Sequence, residues 1–124
     1  MIVISIISIL ASIMVPNYMR ARAQAQYTQC ISNCKNIGTA MEMYSTDNEG
    51  HYPTGGMTKL TPDYIILIPS CISAASSTVY TSSFSCRMNP DAYTFFCRGD
   101  NHTLLNVGTN YPQYSSTMGL KLRR

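Results

Sequence analysis

The sequence has no tryptophan, no charged residue before Arg20 and no glycine before Gly38. Each absence excludes something. Charged residues make up only 12% of the chain, about half the usual share. Nine Lys and Arg oppose six Asp and Glu, giving a net charge of +3. That balance is too mild to argue for nucleic acid. Four of the positive charges are Arg20, Arg22, Arg123 and Arg124, so the remainder is close to neutral. There is no C-x-x-C pair and no paired histidine, so the spacing fits no zinc pattern. The glycine-free stretch leaves Pro16 as the one helix breaker before residue 38. What is abundant is tyrosine, nine in 124 residues, together with serine, which together give a polar and uncharged surface.

Met1 to Met19 reads MIVISIISILASIMVPNYM. A cleaved signal peptide would carry basic residues before the apolar run and small residues after it. Here the run is followed by Tyr18, Arg20 and Arg22. Met1 to Val15 would be roughly 22 Å long as a helix, short for the ~30 Å hydrocarbon core of a bilayer. A buried core helix is excluded in another way: a domain this small cannot surround a helix that is apolar on all sides. The remaining reading is a helix that lies first in a membrane and later inside a bundle of identical chains. Ser5, Ser8 and Ser12 share one face. Their hydroxyls can bond to carbonyls one turn back, and their small size permits close helix approach.

The helical reading continues to residue 46, with Pro16 expected to kink or melt the local turn. From Tyr27 the pattern becomes amphipathic. Tyr27, Cys30, Cys34, Ile37, Met41 and Tyr44 fall on one stripe at helical period, expected to pack on a sheet. Gln29, Asn33, Lys35, Asn36 and Glu42 fall on the opposite, polar face. Beyond Tyr44 come Ser45, Thr46, Asp47, Asn48, Gly50 and Pro53, an exit loop.

Residues 2–26, IVISIISILASIMVPNYMRARAQAQ, resemble the N-terminal helix of type IV pilins and pseudopilins, with Pro16, Asn17 and Tyr18 at the junction between apolar segment and basic amphipathic helix. Residues 36–54, NIGTAMEMYSTDNEGHYPT, are similar to that family's helix end and its Met/Leu-Tyr-x-x-Asp-Asn-x-x-Tyr-Pro exit, here with three residues rather than two between Asn48 and Tyr52. The separation of the two motifs also fits. The family's mature chains open with a methylated Phe and a glutamate after a basic leader. These are not in this sequence, so the family glutamate is assigned to no residue. The resemblance implies an α+β fold in which a long N-terminal helix packs on a small antiparallel sheet. Residues 1–25 would be the apolar filament-core or transmembrane half, and 26–124 the globular head. The implied assembly core is Ile2, Val3, Ile4, Ile6, Ile7, Ile9, Leu10, Ile13, Met14, Val15, Pro16 and Tyr18. The partners implied are further copies of the chain in a helical filament, the inner membrane before assembly and the pilus assembly machinery, with no nucleic acid. The location implied is an extracellular filament at the cell surface. The alternative is the major pseudopilin of a type II secretion system, forming a periplasmic pseudopilus. Loss of helicity near Pro16 on assembly is a further implication.

In the head, Leu60 to Pro69 reads as a short buried strand or turn, and residues 70–85 as a surface loop entering a strand. Ala92 to Cys97 is the clearest strand, forming a hairpin around Asn89-Pro90-Asp91. Arg98 to Asn101 reads as a turn, Thr103 to Val107 as a last strand, and everything from Gly108 as loop. Cys30, Cys34, Cys71, Cys86 and Cys97 are disulfide candidates in an exported chain. Their odd number leaves at least one thiol free or bonded between chains, and the pairing stays open. No catalytic group is expected: His51 and His102 read as single surface histidines without a triad. Asp91, Asp100 and Asn101 are the oxygen ligands available for calcium, and turn chemistry explains them equally well. Arg98-Gly99-Asp100 and the sequon Asn101-His102-Thr103 are short matches that carry no argument. Tyr18 and Tyr27 read as interface packing. The chain is expected to be structural, without a cofactor.

Overall fold

The computed structural model describes residues 1–74, 76–89 and 91–122. One helix, α1 (Ile2–Asp47), accounts for over a third of the chain and is roughly 69 Å long at 1.5 Å per residue. Of the kink or melting expected at Pro16, the melting does not occur, and the helix runs unbroken through it. A proline removes one N–H bond, that to the Ser12 carbonyl. Its neighbours, including Leu10, Ala11, Met14 and Met19, are good helix formers that hold the turns on either side. The helix ends where the breakers begin. The Gly50 N–H reaches back to the Ser45 carbonyl at 2.8 Å, and Asn48 Nδ2 to the Tyr44 carbonyl at 2.8 Å. Glu49 and Gly50 both take positive φ, a reversal that satisfies carbonyls left open at the helix end.

Four short strands follow: β1 (Ser85–Met88), β2 (Asp91–Phe96), β3 (Gln113–Ser115) and β4 (Gly119–Lys121). They form one antiparallel sheet in the order β1-β2-β3-β4. This is the α+β, pilin-like architecture. The β1–β2 hairpin pairs Met88 with Asp91 and Cys86 with Tyr93. Pro90 of the expected turn lies outside the described residues, as do Arg123 and Arg124. β2 alternates, with Tyr93 and Phe95 buried and Thr94 exposed.

The rest of the head departs from the sequence reading. Thr103–Leu105 is a 3₁₀ turn rather than a strand. The tail from Gly108, read as loop, contributes β3 and β4. These strands are three residues each, too short to show periodicity. They form because Phe95 pairs with Tyr114 and Tyr114 with Leu120 across the ladder. Residues 60–69, read as strand or turn, take the turn: Leu60 is buried, while Ile66 and Leu67 face solvent.

The inner stripe of α1 packs on the sheet as its spacing requires. Cys30, Cys34, Ile37 and Met41 are at most 1% exposed and join Tyr80, Tyr93 and Phe95 in one core. Phe95 and Tyr114 stack at 5.5 Å, and Tyr93 with Phe95 at 6.1 Å. Gly38 is where the sheet comes closest. A Cβ there would lie 2.5 Å from Tyr114 Cζ, which explains a glycine in mid-helix despite its ~1 kcal/mol propensity cost. Gly38→Ala is expected to destabilise the head by about 1–3 kcal/mol through overpacking, measured as the urea midpoint. In a Tyr114→Ala background the same change should become stabilising. Stabilisation with Tyr114 intact would contradict this packing.

Candidate functional site

Full burial on α1 begins at Tyr27, Ala23 and Gln26 are half-buried, and the helix before them projects from the head. Ile2, Val3, Ile4, Ile6, Ile7, Ile9, Leu10, Ile13, Met14, Val15 and Tyr18 are each more than half exposed, and Pro16 is exposed too. An 18-residue stretch with a mean hydropathy of 2.0 has none of its residues buried. By length and composition it is sufficient to cross a membrane. Scattered apolar residues on a surface are ordinary, but a continuous apolar helix is not. Its serines present no unpaired hydroxyl to an apolar medium. Ser5 donates to the Met1 carbonyl at 3.2 Å, Ser8 to Ile4 at 2.8 Å and Ser12 to Ile9 at 2.7 Å. Arg20 and Arg22, both exposed, mark where charge resumes.

At its other end the helix is tied to the exit loop. Tyr52 donates to the Glu42 carboxylate at 3.1 and 3.2 Å, and Tyr93 donates to Glu42 Oε1 at 3.1 Å. Tyr64 donates to Asp47 at 3.1 Å. Burial, then the Glu42 carboxylate, push the Tyr52 pKa up to about 12. The same two causes raise that of Tyr93. In the unfolded chain these phenols ionise near pH 10, so the fold favours their neutral form. Their contribution is therefore complete below about pH 10 and falls as pH rises from about 10 toward 12. Alkaline titration followed by circular dichroism should show stability falling in that window. Glu42→Gln should make the fall shallower without removing it, because burial is the larger cause.

The cysteines occupy a different place. All five are free thiols, and no pair is bridged. Cys86 sits in β1 opposite Tyr93. Cys30, Cys71 and Cys97 converge with His102, their ligand atoms all within 4.8 Å of one another and all four residues buried. Each comes from a different segment. Cys30 is on the inner face of α1. Cys71 is held against that helix from both sides, by Asn33 Nδ2 donating to the Ser70 carbonyl at 3.0 Å and Ser73 Oγ donating to Gln26 Oε1 at 3.2 Å. Cys97 directly follows β2, with its N–H on the Pro112 carbonyl at 3.0 Å. His102 follows the turn after it and sets its ring edge-on to Tyr27 at 5.0 Å.

Two expectations are corrected here. His102 is not a surface histidine but 5% exposed, and Asn33, placed on the polar face, is also 5% exposed because it pins the Cys71 segment. His51 is exposed and pairs with Asp91 at 2.8 Å. Asp91 opens β2 and Asp100 follows its far end, so the residues considered for calcium do not converge.

Hydrogen bonds from Cys30 and then Cys97, opposed in part by burial, draw the Cys71 pKa well below the usual thiol range. Contact with Cys34 and then Cys71 pushes Cys30 up, and contact with Cys30 and then Cys71 pushes Cys97 up. Tyr80 lies 2.8 Å from Cys30 Sγ, and Asn101 Nδ2 donates to Cys97 Sγ at 3.3 Å. Sequence reasoning missed the group because its members lie on four separate segments.

A long helix with its outer half apolar and exposed and its inner half seated on a small antiparallel sheet is a pilin-like α+β architecture. The chain is similar to the Type II secretion system core protein G of Escherichia coli (strain K12), with 43% identity over 54 residues. Those residues are 44% of this chain and 37% of that protein, so the match spans well under half of the relative's length. No protein-family profile and no solved structure matches the chain.

Proposed function

We propose that the chain is a structural subunit that polymerises through its apolar N-terminal helix into a helical, type IV pilus-like filament. The observation that carries this reading is the continuous apolar surface from Ile2 to Met19, left exposed by the fold. Burying it contributes about 25 cal/mol per Å². An environment of like helices supplies that burial at every subunit, and the inner membrane supplies it before assembly. Head-to-tail contacts whose rotation does not close on itself give an open helix of subunits, the arrangement proposed here. The heads lie outside, and the work is mechanical rather than catalytic, with no reaction and no nucleic-acid partner assigned.

A second reading, a periplasmic pseudopilus of a type II secretion system, is favoured by one observation, the similarity to core protein G. Electron microscopy of sheared cell-surface material, with mass spectrometry of its subunits, separates the two. Long surface filaments containing this chain support the pilus. Retention of the chain at the inner membrane, with a protein-secretion defect on deletion, supports the pseudopilus. A chain found only as a soluble monomer contradicts both.

A further inference from the structure

We propose that Cys30, Cys71, Cys97 and His102 form a structural zinc site that clamps the long helix to the head. This is independent of how the chain polymerises. Three sulfurs and one imidazole nitrogen are a complete ligand set for tetrahedral zinc. With Zn–S of about 2.3 Å and Zn–N of about 2.0–2.1 Å, a tetrahedron places sulfurs about 3.8 Å apart and sulfur and nitrogen about 3.6 Å apart. His102 Nε2 lies 3.6 Å from Cys71 Sγ and 3.9 Å from Cys97 Sγ. Both distances match the tetrahedral value to within about 0.3 Å, and all four ligand atoms lie within 4.8 Å of one another.

The set is soft and closed. Thiolate with imidazole selects zinc over the hard cations that take oxygen, and burial of all four residues leaves no open position of the kind a catalytic metal keeps. On binding, the sulfurs coordinate as thiolates and their S–H protons pass to solvent. His102 binds through neutral Nε2, and nothing is oxidised or reduced. A dication with three thiolates leaves one net negative charge in the core. The surroundings already answer it: the Tyr80 hydroxyl at Cys30 Sγ and Asn101 Nδ2 at Cys97 Sγ are donors to thiolate sulfur, the outer-shell partners that metal ligands require. A single disulfide accounts for less, since it joins two of the three sulfurs and leaves a third thiol and a buried imidazole without a role; even two disulfides that drew in Cys34, buried one turn along α1 from Cys30, would leave the imidazole without one. The clamp also meets a need. Strands of three to six residues make a small core of the kind that gains most from a covalent or metal staple.

The test uses the full chain, purified in detergent without chelator. Elemental analysis and native mass spectrometry are expected to give one zinc per chain, and cobalt exchange a tetrahedral spectrum with thiolate charge-transfer bands. His102→Ala should weaken binding, His102→Cys should retain the ion, and Cys86→Ser should leave binding unchanged. Tyr80→Phe should lower zinc affinity about 10- to 100-fold. The cobalt spectrum of the unaltered chain stands even if a variant fails to fold. A chain that stays metal-free when zinc is supplied, with its thiols reduced or with disulfides among Cys30, Cys34, Cys71 and Cys97, or cobalt bound without thiolate bands, would overturn the proposal.

Discussion

Ile9→Asp is expected to abolish filament formation while leaving the head folded. Ile9 is in the middle of the apolar run and 61% exposed in the isolated chain, so it makes no contact on which the head depends. Inside a membrane or a helix bundle the same position is dry. An Asp at the centre of a membrane helix costs about 2.5–3.5 kcal/mol on insertion scales. In a filament that cost recurs at every subunit, so a modest penalty per chain becomes a loss of polymer. Filament yield, measured by sedimentation and electron microscopy, should fall below detection, whereas Ile9→Val should assemble normally. The thermal unfolding of the head should be unchanged in both. Filaments at ordinary yield from Ile9→Asp would mean that the apolar surface is not the assembly interface.

Phe95→Ala is expected to have the opposite signature, a failing head on an intact helix. Phe95 is fully buried in β2. It stacks on Tyr114 at 5.5 Å and Tyr93 at 6.1 Å and meets the edge of Tyr80 at 6.4 Å. Truncation removes the ring around which the other three pack and leaves a cavity between α1 and the sheet. The expected loss is about 3–5 kcal/mol, a large part of the 5–15 kcal/mol that holds an ordinary domain together. Urea unfolding should register it. Phe95→Leu, which keeps more of the volume, should lose less. A loss below about 1 kcal/mol would show that the aromatic stack is not central to the head.

Most of the helix was legible in the sequence, and the sheet only partly. Tyr27, Cys30, Cys34, Ile37 and Met41 announced their burial because the helical period repeats over several turns. The end of α1 was legible from Asn48 and Gly50, whose chemistry is local. β2 declared itself through AYTFFC. β3 and β4 did not, because three residues carry no period and their pairing is decided by Phe95 and Tyr114, distant in sequence. Pro16 misled in the other direction: its local cost is real, but strong helix formers on both sides outweigh it. The Cys30, Cys71, Cys97 and His102 group was the least legible. Only Cys97 and His102 are close in sequence, five residues apart, and it is the docking of their segment and of the Cys71 segment onto α1 that brings all four together. Asn33 shows how that docking hides: a polar side chain on a nominally polar face is buried because it holds the Ser70 carbonyl.

The central claim is that identical apolar helices contact one another in the assembled state. A photo-crosslinking residue placed at Ile9, with a control at Lys59 on the head, tests it in cells. A ladder of crosslinked multimers composed of this chain alone is expected from position 9, with little or none from position 59. Crosslinks from position 9 that join only lipid or an unrelated protein, in material that contains filaments, would contradict it.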